Sequence, residues 1–235
     1  MSKNKFTVFV RKYFSEFALI FISVLLAFAL TEWSNNQGKK ISEEKIFVEI
    51  LNGLKIDSFD IEGNIMAHEN GVKACKFWRK IINNQVTTVD TDSLKGYYYA
   101  LTRSVISVQN VSGYETLKAK GLETIQNDSL RTRIISLYEG SYQIMRKFEE
   151  DYQENQFFEN YFFEINKKIA PNLIFNESGD ITGIQLPLHL NKQEKNILLS
   201  YLWKIQMSRA ERAQAGKGLK KSITKLYQAI EKEIH

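Results

Sequence analysis

The stretch Phe17–Leu30, FALIFISVLLAFAL, contains fourteen residues with no charge, and Ser23 is its single polar side chain. As a helix it would be about 21 Å long, which is shorter than the ~30 Å hydrocarbon core of a bilayer. Its flanks extend it, because Tyr13 and Trp33 are twenty positions apart and such aromatic residues favour the membrane interface. The sequence therefore predicts that Phe17–Leu30 binds a lipid bilayer as a transmembrane helix.

Two interpretations of this stretch are open, a cleaved signal peptide and an uncleaved signal anchor. The basic start and the residues Ala27–Ala29, AFA, are typical of a cleaved signal. Against cleavage, apolar character continues to Trp33, and Glu16 directly precedes the apolar run. We expect an uncleaved signal anchor, with residues 1–33 as cytoplasmic stub and membrane anchor and residues 34–235 as a helical domain.

Basic residues near the two ends of the run predict its orientation. Those before it are Lys3, Lys5, Arg11 and Lys12, and those soon after it are Lys39, Lys40 and Lys45. Basic residues favour the cytoplasmic side, whereas acidic residues count little. This small bias predicts a single-pass protein of the inner (cytoplasmic) membrane, with a cytoplasmic N-terminus and a periplasmic body.

Composition limits what the body can be. The 235 residues carry a formal net charge of +5, and their 43% hydrophobic and 25% charged content is typical of a globular protein. Two prolines are too few for a turn-rich β-sandwich, and the lone Cys75 excludes an internal disulfide or a cysteine-based zinc site. The histidines, far apart in the sequence, are His68, His189 and His235. We therefore expect no metal and no cofactor.

Apolar residues recur at helical spacing through most of the body, beyond a polar hinge at residues 34–38. The predicted helical segments are 42–68, 72–82, 92–104, 112–120, a long helix from Asn127 to before Pro171, and a last one from Asn191. Glu69–Gly71 is predicted to break or kink the helix between the first two apolar stripes, and Gly216 with Gly218 to interrupt the last helix.

Residues 171–190 differ from the rest, since they contain both prolines and several glycines and asparagines. They predict a loop with a small hairpin formed by Leu173–Phe175 and Ile184–Leu186. The sequence as a whole predicts an all-α fold, in which an N-terminal transmembrane helix is followed by a long-helix bundle.

Two segments resemble a family of small single-pass membrane proteins of unknown function from Bacteroidota. The first is residues 15–36, where Ser15-Glu16-Phe17 leads into the apolar run and Thr31-Glu32-Trp33-Ser34-Asn35-Asn36 follows it. The second is residues 112–131, in which Tyr114-Glu115-Thr116-Leu117, Gly121 and Ile125-Gln126-Asn127 match the family pattern. The resemblance implies a membrane-anchored helical protein and carries over no activity and no catalytic residue.

No motif of a catalytic, metal or phosphate site is present. The sequence contains no H-E-x-x-H, C-x-x-C or G-x-G-x-x-G, and Ala215–Gly218 lacks the spacing of a Walker loop. His68-Glu69 is interpreted as solvated helix surface and Cys75 as a small buried hydrophobe. We predict no catalytic, cofactor-binding or metal-binding residue, and a protein that is not an enzyme.

Two further groups have both a structural and a functional interpretation. The aromatic segment Phe157–Phe163 is expected to pack in a core rather than bind a partner or lipid. Tyr114, Glu115 and Arg131 are expected to form a buried polar network at a helix junction, where helix ends need hydrogen-bond partners.

The basic segment Lys204–Lys225 has seven Lys or Arg residues and one acid. It is interpreted as a solvated face balanced by the acidic residues of 149–154, in preference to a surface for anionic lipid or nucleic acid. A periplasmic body makes a nucleic-acid partner unexpected.

Two functions of different class follow. The favoured hypothesis is a membrane-anchored interaction or scaffold protein that binds a protein partner or a second copy of itself. The alternative is a periplasmic small-molecule sensor or ligand-binding helical domain, because helical bundles bind small molecules between their helices.

Overall fold

A single helix, α1, extends from Lys3 to Ile82 in the computed structural model, which describes residues 3–234. Its 80 residues correspond to a length of about 120 Å. The hinge predicted at residues 34–38 is wrong, and so is a break at 69–71, the first of the two alternatives predicted there, because α1 is continuous through both segments. A glycine inside a helix costs only about 1 kcal/mol relative to alanine. Gly71 packs against Arg209, whereas residues 34–38 are exposed, so packing against the body does not explain the helix at residues 34–38.

Six shorter helices and a hairpin make up the rest of residues 3–234. The helices are α2 (Thr91–Thr102), α3 (Ser112–Lys120), α4 (Asp128–Ile135), α5 (Tyr142–Glu150), α6 (Phe163–Ile169) and α7 (Lys192–Ile234). Single π-helical segments, Ser136–Ser141 and Phe158–Phe162, precede α5 and α6. Short 3-10 turns occupy Leu122–Thr124, Gln153–Asn155 and Ala170–Asn172. The protein is 80% helical with 3% strand, which confirms the all-α prediction.

Side-chain caps fix several helix ends where the sequence predicts them. The Asn127 side chain accepts a hydrogen bond from the Leu130 N–H and so begins α4. Asn191 and Glu194 cap α7 reciprocally, each side chain accepting from the other residue's backbone N–H. Gly121 ends α3 with a positive φ of 99°, a conformation that glycine adopts without strain.

The long helix predicted from Asn127 to Pro171 is wrong as a single element, since it is interrupted between α5 and α6. The side chain of buried Asn155 donates to the Phe148 carbonyl at 2.6 Å, and Asn160 donates to the Gln153 carbonyl at 2.6 Å. These amides satisfy carbonyls that a continuous helix would have bonded itself.

Helices α1 and α7 form an antiparallel pair that is the spine of the body. The buried face of α7 alternates steps of four and three residues, in the order Leu198, Leu202, Ile205, Arg209, Arg212, Gly216, Leu219, Ile223, Leu226 and Ile230. This spacing is that of a helix–helix seam. α7 is continuous through Gly216, where the predicted interruption is wrong, and a methyl group there would lie 2.9 Å from Ile65 Cγ1 of α1.

Two hydrophobic cores lie along this spine. One lies between residues 46–65 of α1, residues 219–230 of α7 and helices α3 to α5. The other lies between residues 74–82 of α1, residues 198–205 of α7, α2 and α6. The stretch of α1 and α7 between the two cores contributes polar side chains instead.

The hairpin predicted in residues 171–190 is present. Strand β1 is Leu173–Phe175, as predicted, and β2 is Ile181–Ile184, three residues earlier than predicted. The strands pair antiparallel, with Leu173 opposite Ile184. The Asn176 side chain accepts hydrogen bonds from the backbone N–H groups of Ser178 and Asp180. The turn between the strands is therefore short, and β2 begins earlier in the sequence than predicted.

Candidate functional site

Between the two hydrophobic cores lies a layer of buried charge, here called the arginine layer. It consists of His68 from α1, Arg209 and Arg212 from α7, and Glu149 from α5, all at most 3% exposed. Ionisable side chains are almost never this buried unless they are paired. The layer is therefore the part of the protein that packing alone explains least.

Arg209 binds the C-terminal end of α2. Its Nη2 donates to the carbonyl oxygens of Ala100, Leu101 and Arg103 at 2.9, 3.1 and 2.7 Å. The last carbonyls of a helix have no partner within the helix and carry its partial negative charge, so a cation here is stabilising. The guanidinium carbon lies 4.6 Å from the centre of the buried Phe157 ring, within cation–π range.

Arg212 binds the end of α5 in the same manner. Its Nη2 donates to the Glu149 carbonyl at 2.8 Å, and its guanidinium carbon lies 5.5 Å from the centre of the same Phe157 ring. The Glu149 carboxylate accepts instead from Ser107, from the N–H at 2.8 Å and from Oγ at 2.9 Å. Among the described side chains, neither arginine forms a salt bridge with a carboxylate.

Several polar atoms of the layer have no hydrogen-bond partner in the described part of the chain. They are His68 Nδ1 and Nε2, Arg209 Nε, and Arg212 Nε and Nη1. A buried donor without a partner costs about 1–3 kcal/mol, and more when it is charged. Capping α2 and α5 uses only Nη2 of each arginine, so this structural role leaves the other nitrogens unexplained.

Electrostatics leaves the layer with an excess of positive charge. Burial, together with the two neighbouring arginines, lowers the pKa of His68 from 6.5 to about 3, so this imidazole is neutral at pH 7. Burial also lowers the pKa of Arg209 to about 10, which still leaves it charged. Burial raises the pKa of Glu149, while the bonds from Ser107 and the charge of Arg212 oppose that rise. Two cations thus face one carboxylate.

The connection between α2 and α3, residues 103–111, contacts the layer through Ser107 and the Arg103 carbonyl; we call it the strap. Carboxylates hold it through its backbone amides. Ser107 N–H donates to Glu149, Val108 N–H to Asp60 at 3.0 Å and Asn110 N–H to Asp57 at 2.7 Å. The strap is therefore attached by side chains rather than by secondary structure.

A second buried polar contact lies in the core nearer the N-terminal end of α1. Tyr142 donates its hydroxyl to Asp57 Oδ2 at 2.5 Å, and Asp57 is 3% exposed. Burial raises the pKa of Asp57, and the hydrogen bonds from Tyr142 and Asn110 oppose that rise. Tyr138 packs edge-on against the ring of Tyr142, the residue that donates to this carboxylate.

Several sequence-based predictions about individual residues need correction. His68 is buried in the arginine layer, so its interpretation as solvated surface is wrong. The basic segment Lys204–Lys225 is not one solvated face, because Arg209 and Arg212 point into the bundle; Glu149, predicted to balance it at the surface, is buried as well. Cys75 is buried, as predicted, and its burial raises the pKa of the thiol to about 11.

The polar network predicted for Tyr114, Glu115 and Arg131 does not form. Tyr114 is buried and stacks on Tyr138 with ring centres 4.5 Å apart. Glu115 pairs with Lys118 at the surface. Arg131 pairs with Asp128 and donates to the Ile125 carbonyl. Tyr114 thus contacts the π-helical segment after α4, whereas Glu115 and Arg131 each pair with a residue three positions away, so the three side chains do not form one network.

The aromatic segment Phe157–Phe163 divides between core and surface. Phe157 and Tyr161 are buried, whereas Phe158 and Phe163 are exposed. The prediction of core packing is confirmed for the first pair and wrong for the second. Phe157 and Tyr161 are four residues apart and share the buried side of the helix, whereas adjacent helical residues point about 100° apart.

The N-terminal part of α1 is long and apolar enough to cross a membrane, and its most apolar window is not buried against the rest of the chain. Among the described residues, no group of three His, Cys, Asp or Glu side chains is placed to hold a metal ion. Comparisons with family models, curated proteins and solved structures found no match to this chain.

The residues of the arginine layer left one signal in the sequence that a composition-based interpretation misses. Arg209 and Arg212 stand at seam positions of α7, in step with Ile205 before them and Leu219 after them. A charged pair that keeps the phase of an apolar stripe faces the core, whatever its residue type suggests.

Proposed function

We propose that this protein is a membrane-anchored helical interaction module that assembles with a second copy of itself along the outer face of α1. One observation carries the proposal. The exposed side chains Ile41, Val48, Phe59 and Met66 are separated by seven, eleven and seven residues, which places them within roughly 20° of one another around the helix. Phe59 is 85% exposed. We call this set the α1 stripe.

The α1 stripe lies opposite the side of α1 that packs in the body. The opposite side of α1 is buried in the core through Ile50, Leu54 and Ile61. These residues lie within about 40° of the direction opposite to the stripe. Folding of one chain therefore leaves the stripe uncovered. Scattered exposed apolar residues are common, but an ordered row along one helix is typical of a helix–helix interface.

The membrane segment presents a compatible surface on the same face. Ser23 precedes Ile41 by eighteen residues, which is five helical turns, and Ala27 lies about 40° away. A small-x-x-x-small pair lets two membrane helices approach closely. A second copy anchored in the same bilayer has its α1 parallel to that of the first copy. A two-fold axis parallel to the two helices then places the α1 stripe of one copy against the α1 stripe of the other.

Disulfide trapping in membranes tests this assembly. Phe59→Cys in the full chain is expected to form a disulfide-linked dimer on mild oxidation. The matched control is Lys76→Cys, which is exposed on α1 but roughly 80° around the helix from Met66. Equal cross-linking at both positions, or none at Phe59→Cys, would overturn the proposal. Native Cys75 is buried and serves as an internal background.

The membrane contribution is separable from that of the body. Ala27→Leu is expected to reduce the dimer fraction in mild detergent, because it removes one small residue from the contact. Leu25→Ala, on the opposite side of the helix, is expected to leave the dimer fraction unchanged. A monomer in detergent whose state neither substitution alters would refute a role for the membrane helix.

The proposed location is the inner membrane, with the N-terminus in the cytoplasm and the body in the periplasm. It is supported by the basic residues before the apolar run, which slightly outnumber those after it. Alkaline phosphatase fused after residue 235 is expected to be active, since it requires an oxidising compartment. A fluorescent protein that folds only in the cytoplasm is expected to be dark there; the reverse pair of results would place the body in the cytoplasm.

A further inference from the structure

We propose that the arginine layer is an internal binding site for a small oxyanion, a molecule that presents a carboxylate or phosphate group to Arg209, Arg212 and His68. This inference goes beyond the interaction role proposed above and does not depend on it, because the stripe and the layer lie on different sides of α1.

The charge of the layer favours an anion. Two guanidinium groups surround one Phe157 ring, while Glu149 supplies the only carboxylate of the layer. Glu149 turns its oxygens to Ser107 rather than to the arginines. Since His68 is neutral, the layer carries two guanidinium groups and one carboxylate. The carbonyls at the ends of α2 and α5 supply only partial negative charge, and a monoanion balances the remaining excess.

The unpartnered atoms favour an acceptor. Three of the unpartnered atoms are hydrogen-bond donors, namely Arg209 Nε, Arg212 Nε and Arg212 Nη1. The neutral imidazole of His68 offers one more donor. Arginine is the residue best suited to bind carboxylate and phosphate, because its donors are fixed in a plane and always charged. A buried water accepts hydrogen bonds from such donors but adds no negative charge. Water alone therefore satisfies the hydrogen bonding of the layer but does not balance its charge.

The backbone around the layer is shaped for Arg209 rather than for close helix packing. Gly71 of α1 faces Arg209, and a methyl group there would lie 2.6 Å from Arg209 Cζ. The missing side chain lets a guanidinium lie across α1 one turn from His68. Gly71 thus leaves space for the buried guanidinium group of Arg209, at a seam position of α7 where an apolar residue would also fit.

The strap supplies a route to the interior. It is attached to two members of the layer, to Glu149 through Ser107 and to Arg209 through the Arg103 carbonyl. No helix or strand needs to unfold for it to move, because residues 103–111 have no regular secondary structure. Opening the strap exposes the arginine edges to a ligand, and closing it restores their burial.

Isothermal titration calorimetry on the full chain in detergent tests the site, with inorganic phosphate and acetate as separate probes at constant ionic strength. One saturable site per chain is expected for at least one probe. Preference for phosphate assigns a phosphate-bearing ligand, and preference for acetate assigns a carboxylate. No saturable binding of either anion would overturn the proposal.

Three substitutions distinguish this site from surface binding. Arg212→Gln is expected to weaken binding at least tenfold, and Arg146→Gln, which removes an exposed arginine of α5, is expected to leave it unchanged. Glu149→Gln is expected to tighten binding several-fold, because it removes the competing carboxylate. This opposite effect keeps the test decisive if Arg212→Gln fails to fold. Weaker or unchanged binding by Glu149→Gln in a folded protein would contradict the assignment.

Discussion

Arg209 crosses α1 at Gly71, so closely that a methyl group on Gly71 would lie 2.6 Å from Arg209 Cζ and closer still to Cδ. Arg209 cannot withdraw easily, since its Nη2 donates to three carbonyls at the end of α2. The contact thus joins α1, α2 and α7 at a single point between the two cores.

Gly71→Ala is expected to destabilise the body by about 1–3 kcal/mol, the range for forcing an extra methyl group into a packed site. Helix propensity alone predicts the opposite sign, since alanine is favoured over glycine by about 1 kcal/mol. Urea unfolding followed by circular dichroism measures the difference.

Gly63 provides the matched control, because it lies on the same helix and a methyl group there would meet nothing within 4 Å. Gly63→Ala is expected to stabilise the protein by up to about 1 kcal/mol. If Gly71→Ala stabilises as Gly63→Ala does, the close contact with Arg209 is wrong.

His68 makes stability depend on pH. Its pKa falls from 6.5 to about 3 on folding, so the unfolded chain binds the proton more tightly. The corresponding stability is fully present above pH 6.5 and is lost as the pH falls toward 3. Between about pH 7.5 and about pH 5.5 the loss through His68 alone is about 1.4 kcal/mol.

The measurement compares the free energy of unfolding of the wild type and His68→Gln over that range, in buffers without phosphate or carboxylate. Glu149 and Asp57, whose pKa values are raised by burial, contribute with the opposite sign but are present in both proteins. The wild type is expected to lose more stability on acidification than His68→Gln. Parallel curves would contradict a neutral buried imidazole.

The periodicity of apolar residues lets the fold be predicted from the sequence, whereas the burial of the charged residues cannot be predicted in this way. The caps at Asn127 and Asn191 and the glycine that ends α3 are local signals, and each lies where the sequence predicts it. The continuity of α1 through Gly71 and of α7 through Gly216 is decided by tertiary packing, because each glycine packs against the facing helix and a local pattern does not contain that contact.

The arginine layer cannot be recognised from residue type alone. A surface position is the rule for arginine and glutamate, so residue type assigns Arg209, Arg212 and Glu149 to solvent. Their burial depends on partners far away in the sequence, such as the carbonyl groups at the end of α2. The phase of the α7 seam is the one local clue to it.

Tyr142→Phe is expected to destabilise the protein by about 2 kcal/mol, because it removes the hydroxyl that donates to the buried Asp57 carboxylate. The matched control is Tyr152→Phe, whose ring is half exposed and which is expected to change stability by less than about 0.5 kcal/mol. Thermal unfolding compares the two, and equal effects would show that the Asp57 contact contributes nothing.

The thiol of Cys75 is expected to react with alkylating reagents only when the body unfolds. Cys75 is fully buried beside Trp78, and burial raises the pKa of its thiol from 9.0 to about 11, which lowers the reactive thiolate fraction about 100-fold in addition to blocking access. Iodoacetamide labelling followed by mass spectrometry measures the rate. Ser178→Cys, at the exposed turn of the hairpin, is the control and is expected to react at once at that position. If Cys75 is labelled in the native protein as fast as the hairpin thiol, the core that contains Cys75 opens readily. If instead the labelling rate rises with urea only through the main unfolding transition, α1, α2 and α7 separate together around Cys75.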